Sequence, residues 1–424
     1  MRTGRCQRGA SFVMALGFLT VMVTAVVGAV ASARTFAIAR INRVEARDAR
    51  LAAESGIEYA MGILASTQAG DPTVSPVTSL LDEWATTGQQ GEDEFVIGTQ
   101  RFRLEIRDAS SFINLNSATE EQLRRLPMTN EQIDSLLDWR EAELSPRPEG
   151  GKDEFYNNLA NPYNTRLARF ETVEELLSVK GFSPLALFFP QEDISLGTPL
   201  VSGNADAQPS LIDLLITDSS APNTTATGET KYNAQNVNVG QMVGRGIPPP
   251  IAQRVIDARN ALGTVTSVGR LCQMAGFQPA DAIAVVDNIS NSGASVLLGR
   301  INLNTATEAV LNSVPGMTPD LTSAILSRQQ SGGFNSLGEL LTLPGFTAES
   351  FETVDYFATT SQLFLVRTIG RSGRSTVALE AIVAFRDGRP VVSKMKEPSY
   401  TDVALRWAWS PEPSSTIPLY EVSN

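Results

Sequence analysis

The period of apolar positions changes several times along the chain, and each change predicts a different element. From Ala10 to Ala33, 24 residues carry no charge; as a helix they would extend ~36 Å, enough to cross a hydrocarbon core of ~30 Å. Beyond Arg34 the apolar residues Ile38, Ile41, Val44, Leu51, Ile57, Met61 and Leu64 recur mostly at three- and four-residue steps, and no proline occurs before Pro72. This spacing predicts one helix over 10–66, ~85 Å long, apolar all round at first and amphipathic afterwards. Residues 67–93 read as a polar loop. RFRLEIR (101–107) then alternates, with Phe102, Leu104 and Ile106 on one face and charges on the other, a half-buried antiparallel strand. STVALEAIVAFR (375–386) alternates likewise, Asp387-Gly388 supplies a hairpin turn before VVSKM, and YTDVALRWAW (400–409) reads as a further strand. Strands on both sides of a long middle section imply a sheet interrupted by an insertion.

That middle section repeats itself. Segments 113–182, 236–277 and 301–346 each show an Asn-rich entry, a helix, a Gly/Pro turn, a second helix and a shorter helix closing in Gly-Phe. Ser117 with Glu120 and Thr305 with Glu308 read as capping boxes in copies one and three, and copy two reads as having lost its box. The connection 186–235, with DSSAPNTTATGET (218–230), reads as a mobile linker.

Composition narrows the chemistry. The 424 residues allow two or three domains, and 42% apolar with 19% charged residues describes a folded, largely soluble chain. No histidine is present, which removes Ser-His-Asp and Cys-His nucleophile systems and imidazole acid–base catalysis. The two cysteines, Cys6 and Cys272, offer no disulfide or zinc framework. Nothing marks a catalytic carboxylate pair, so an enzyme is not expected. Arg2, Arg5 and Arg8 precede the apolar run, which places the amino terminus in the cytoplasm. That run is also longer than the 7–15 residues of an ordinary secretory signal.

The leader MRTGRCQRG, ending in Gly9 before a long apolar helix, resembles those of the type IV pilin and type II secretion pseudopilin superfamily. The resemblance implies cleavage by prepilin peptidase after Gly9 and N-methylation of Ala10. Most members carry Glu at mature position five, where this chain has Met14; the K-class minor pseudopilins lack it too. LAAESGIEYAMGIL (51–64), LLDWREAE (136–143), GGKDEFY (150–156) and ARFETVEELLSVKGF (168–182) are similar to that class, with Asp138, Trp139 and Arg140 kept and Glu141 replacing Asp. The implied fold is α+β: a long N-terminal helix on an antiparallel pilin-like sheet with a large inserted all-α domain of helix-hairpin-helix/SAM-like repeats. The implied segments are the leader 1–9, helix 10–66, first sheet part 67–112, helical insert 113–356 and closing strands 357–424. The implied role is a minor pseudopilin at or near the tip of the type II secretion pseudopilus, a single-pass inner-membrane protein with its bulk in the periplasm. Implied partners are the I and J minor pseudopilins, the major pseudopilin, prepilin peptidase and secreted substrates. A type IV pilus minor subunit shares the same leader chemistry.

The repeats also resemble the helix-hairpin-helix modules of competence-type DNA receptors, where a Gly-hydrophobic-Gly turn holds a DNA phosphate. Here the turns read Pro127-Met128-Thr129, Gly246-Ile247-Pro248 and Gly316-Met317-Thr318, none with both glycines. Copy one has thirteen acids against eight bases and copy three has three against one; only copy two is basic, through Arg245, Arg254, Arg259 and Arg270. Net charge is −12, so nucleic acid is not the expected partner. Acids clustered from Asp138 to Glu154 form a candidate calcium site, weighed against a solvated surface. Trp139, Phe182, Phe277 and Phe346 read as core.

Overall fold

The computed structural model describes residues 7–67, 77–189, 209–386, 388–398, 400 and 402–419. Gln7–Thr67 form a single helix, α1. Its second half buries Ala49, Ala52, Ala53, Ile57, Ala60 and Leu64 against a six-stranded sheet. The small residues matter because the two backbones approach closely. A Cβ on Gly370 would overlap the Ala49 carbonyl and the Ala53 amide, so only glycine fits there.

The strands are β1 (Asp93–Ile97), β2 (Gln100–Asp108), β3 (Leu363–Ser372), β4 (Ser375–Arg386), β5 (Arg389–Lys396) and β6 (Ser415–Pro418), in the order β5-β4-β3-β2-β1-β6. All neighbours are antiparallel except β1 and β6, which are parallel. Phe102, Leu104, Ile106, Phe364, Val366, Leu379, Ala381 and Val383 face α1 together with Trp84 and Phe95. The charged face of β2, expected in solvent, is covered from Arg103 onward, and Arg101 alone stays exposed. Arg103 and Glu105 are buried, and Arg367 pairs with Glu380 at 3.2 Å and Glu105 at 3.6 Å beneath the covering segments.

The insertion leaves after Asp108 and returns at Leu363, adjacent points of the β2–β3 pair, where Asp108 is opposite Phe364. Along α1, the Arg374 amide donates to Glu45 at 3.1 Å and the Thr368 hydroxyl to Ala53 O at 3.0 Å. Thus β3 runs antiparallel to α1, and the insert emerges from the sheet end remote from the exposed half of α1.

Several elements differ from their sequence reading. Residues 400–409 do not form a strand: Val403–Arg406 is a helical turn, which brings Trp407 and Trp409 together, centroids 5.0 Å apart, onto Ile369. In 67–93, a short helix Glu83–Thr86 buries Trp84 and β1 begins at Asp93, while 68–76 lie outside the described residues. Asp387 of the expected hairpin turn also lies outside them. Part of the expected mobile linker, 190–208, is outside as well, but 209–235 is folded: Leu211–Leu214 is helical, Ser220–Pro222 pairs with Val296–Leu298, and Asn223 is buried.

Each repeat closes on itself through a short parallel pair, entry strand to exit strand: Ile113-Asn114 with Leu215-Ile216, Tyr232-Asn233 with Ile289-Ser290, and Ile301-Asn302 with Phe357-Ala358. Copy two therefore starts at Tyr232, four residues before the expected Asn236, and every copy continues past its Gly-Phe into a further helical segment. The capping assignments shift accordingly. The entry asparagine first folds an Asx turn, with the Asn116 amide on Asn114 Oδ1 and the Asn304 amide on Asn302 Oδ1. The helices then start from Thr119 and Thr307, not from Ser117 and Thr305. Copy two does carry a box, Asn238 with Gln241.

Candidate assembly interface

The exposed half of α1 is the first candidate surface. Ser11–Thr67 is the one helix among the described residues long and apolar enough to cross a membrane, and its most apolar window is unburied. Thr20, Thr24 and Thr35 return their hydroxyls to the carbonyls of Leu16, Thr20 and Ala31 at 2.8–3.0 Å. These hydroxyls therefore need no outside partner in lipid. Gly9 and Ala10 fall inside the helix. Met14 is 68% exposed and offers no charge.

The second candidate surface is the helical insert, whose build follows from one polar grammar used three times. Asn116 exchanges two hydrogen bonds with the Phe170 backbone, Gln235 bridges Gly263 and Val265, and Asn304 exchanges two with Phe334. From the second hairpin helix, Arg140 donates to Leu115 O and Ala118 O, Arg259 to Val237 O, and Gln329 to Leu303 O and Ala306 O. These side chains tie entry, hairpin and closing segment of each copy together. The closing glycines Gly181, Gly276 and Gly345 all have φ between +65° and +88°, which explains the recurring Gly-Phe. Phe277 and Phe346 are buried and Phe182 half-buried against the same core.

Copies two and three pair reciprocally. Asp355 of copy three accepts from the Ser267 hydroxyl and the Val268 and Gly269 amides of copy two. Asp287 of copy two accepts from the Ser336 hydroxyl and the Gly338 amide of copy three. Between them, burial pushes the Lys231 ammonium down to about 8, with Asp287 opposing and Arg300 reinforcing that shift. Copy one docks on the sheet instead. Glu174, at the position of Gly269 and Gly338, pairs with Lys396 of β5, and Asp218 pairs with Lys394 at 2.6 Å. A cavity of about 310 Å³ remains between copy one and the sheet, walled by Phe112, Ile216, Leu365 and Ile382. At the sheet end, Asp108 accepts from Asn302 Nδ2 at 2.7 Å and Thr305 Oγ1 at 2.6 Å, joining copy three to β2; burial raises its pKa despite these bonds.

Of the acids from Asp138 to Glu154, Asp138, Glu141 and Asp153 are engaged by the protein's own donors. The Asp138 carboxylate accepts the Arg147 amide, Glu141 pairs with Arg147 at 3.1 Å, and Lys152 Nζ donates to the carbonyls of Asp138 and Glu141. A Cβ on Gly150 would overlap Asp138 Oδ2. Trp139 donates to Glu175 at 2.9 Å and meets Tyr156 edge-on. Among the described residues no group of three or more acids or thiols is placed to hold a metal. Copy two's bases are similarly occupied. Arg245 stacks on Tyr232, Arg254 on Phe277, and Arg259 holds Val237 O. What remains for a nucleic-acid backbone is Arg270. Sequence reasoning missed the reciprocal aspartates. The shared phrases Thr-Ser-Val-Gly and Asn-Ser-Leu-Gly against Glu-Thr-Val-Glu carried the signal.

Residues 109–187 match the family described as Type II secretion system (T2SS), protein K, and residues 298–371 match the helix-hairpin-helix motif. The fold is similar to a chain in the crystal structure of the GspK-GspI-GspJ complex from the enterotoxigenic Escherichia coli Type 2 Secretion System. The TM-score is 0.48 at 11% identity, over 87% of this chain and 100% of that one. No curated protein matches the sequence.

Proposed function

We propose that this chain, a type II secretion protein K by the domain it carries at residues 109–187, is a minor pseudopilin that caps the tip of the pseudopilus. The observation that carries this reading is the polarity of the molecule. An exposed apolar rod leaves one end of the sheet, and the broad insert of three repeats leaves the other. A subunit of this shape admits neighbours along the rod but none stacked above the insert. The rod stores the protein in the inner membrane, amino terminus cytoplasmic and bulk periplasmic, until it packs into the filament. Prepilin peptidase cuts after Gly9, and Ala10 becomes the N-methylated first residue. Met14 in place of glutamate suits a first subunit, which has no preceding amine to pair with. Its partners are the I and J minor pseudopilins, the major pseudopilin and secreted substrates, and its role is mechanical, not enzymatic.

Mass spectrometry of the mature protein from an intact secretion strain tests the processing step: Ala10 should be the first residue, and retention of residues 1–9 would refute it. Co-purification tests the partners. Recovery with the I and J subunits is expected, and their absence from the purified fraction would sink the tip assignment.

A further inference from the structure

We infer that an arginine stripe on α1 seats an acidic helical stripe of a neighbouring pilin-like subunit. Arg40, Arg43, Arg47 and Arg50 recur at three- and four-residue steps and fall within about 80° of the helix circumference. All four are exposed. The stripe lies about 125° from the face that buries Ala49, Ala53, Gly56 and Ala60 on the sheet, so the protein's own body does not cover it. Arg50 is satisfied internally by Glu54 and Glu397. Arg40, Arg43 and Arg47 have no carboxylate within 4.0 Å among the described residues. Three guanidiniums in register over about 10 Å are thus left with an outward-facing, unneutralised edge.

Three occupants could neutralise that edge, and the geometry separates them. A lipid surface is poorly placed, because the helix is continuous through Ala33. A rod standing along the membrane normal carries Arg40 about 10 Å and Arg47 about 20 Å beyond the apolar run. Measured from the outer edge of a headgroup layer about 5–8 Å thick, Arg47 stands well beyond a screening length of about 8 Å at physiological salt and Arg43 at about that length, while Arg40 alone lies within it. A second copy of this chain is also a poor match. On the stripe's own side α1 carries only Glu54 and Glu58, and Glu54 is already bound to Arg50. One free carboxylate cannot answer three arginines. A different subunit whose helix presents carboxylates at the same spacing fits both constraints, since paired rods bring the stripes together along their length. This deepens the proposed function and rests on it.

The test uses the full chain in a strain with intact secretion genes. R40E/R43E/R47E is compared with the charge-preserving R40K/R43K/R47K and with wild type. Pilin-like subunits co-purifying from solubilised membranes are quantified by mass spectrometry at physiological and at high salt. Fluorescence of the four buried tryptophans, Trp84, Trp139, Trp407 and Trp409, confirms that each variant is folded. The glutamate variant is expected to lose at least about tenfold of its heterologous partner, the lysine variant to keep it, and high salt to weaken the wild type. Undiminished partner recovery with the glutamate variant overturns the inference alone. So does recovery of a second copy of this chain as the partner. Flotation of the purified full chain with phosphatidylcholine vesicles, with and without phosphatidylglycerol, supplies a further arm. A glutamate variant that changes only vesicle association also overturns the inference. If the wild type brings down no pilin-like subunit, the proposed function itself fails and the stripe falls with it.

Discussion

Replacing Gly370 by alanine tests how α1 is held to the sheet. A Cβ at this position would overlap the Ala49 carbonyl and the Ala53 amide, both backbone atoms of a helix that cannot yield locally. Overpacking of this kind costs typically about 1–3 kcal/mol and more where backbone must move. The strain falls on the helix–sheet contact formed by Ala49, Ala52, Ala53 and Ala60. We expect a loss of about 3 kcal/mol, roughly a 150-fold shift of the folding equilibrium. Gly62→Ala is the matched control. Nothing lies within 4 Å of a Cβ there, so the same chemical change, made in α1 instead of in β3, should stabilise by about 1 kcal/mol through helix propensity alone. Urea titration of both variants in detergent, with Trp139, Trp407 and Trp409 replaced by Phe in a common background so that fluorescence reads Trp84 packed 5.1 Å from Phe364, measures the difference. If the two variants unfold within about 0.5 kcal/mol of each other, the close-approach argument is wrong.

Three further outcomes follow from the insert. Gly269→Ala would overlap the Phe351 carbonyl and crowd the Glu352 backbone, whereas Gly338→Ala meets only the rotatable Asp287 carboxylate. Thermal unfolding should therefore show a loss of about 2–3 kcal/mol for the first and about 1 kcal/mol for the second, and equal effects would contradict the reciprocal pairing. Arg140→Met leaves the Leu115 and Ala118 carbonyls without their donor. It should cost about 2 kcal/mol in a denaturant titration, against a null effect if the motif arginine were merely a surface charge. Lys231→Met probes pH. Burial lowers this ammonium to about 8, so between about pH 8 and its ordinary value near 10.4 the unfolded chain binds the proton that the folded chain has released. Stability of the wild type relative to Lys231→Met should rise across that window, and parallel stability curves would refute the assignment.

Much of this architecture is legible in the sequence because it rests on period and on repeats. The charge-free run to Ala33 and the stripe through Leu64 specify α1, and alternation specifies β2 and β4. What failed were inferences in which a local pattern was overridden by tertiary cover. The charges at Arg103 and Glu105 look like a solvent face only if nothing packs above them. Residues 400–409 look like a strand because Trp407 and Trp409 are two apart, yet both serve one cluster by way of a helical turn. The entry of copy two lies four residues ahead of its Asn-rich stretch because Tyr232-Asn233-Ala234-Gln235 performs with glutamine what Asn116 and Asn304 do in the other copies. The long arm of Gln235 reaches the same backbone pair, so the physics is kept while the letters change. The reciprocal aspartates were illegible singly, since Asp287 and Asp355 act only on each other's copy.

That exchange also explains why three copies do not form a uniform array. Close pairing is eased by a residue without a Cβ where the partner's aspartate caps the closing segment, and copies two and three supply Gly269 and Gly338. Copy one has Glu174 there, which would set a carboxylate against the incoming one. Before its entry strand it carries Phe112, where copies two and three carry Lys231 and Arg300. Its counterpart to the capping aspartates, Asp213, accepts from Ser210 within its own copy and lies 4.0 Å from Arg406. Copy one has thus exchanged a repeat partner for Lys394 and Lys396 on the sheet. With Asp108 fixing copy three to the end of β2, the insert is anchored to the body at two separate points. An insert joined only by its two connecting chains would be free to swing. One clamped at two points moves as a body with the sheet and with the α1 segment packed on it.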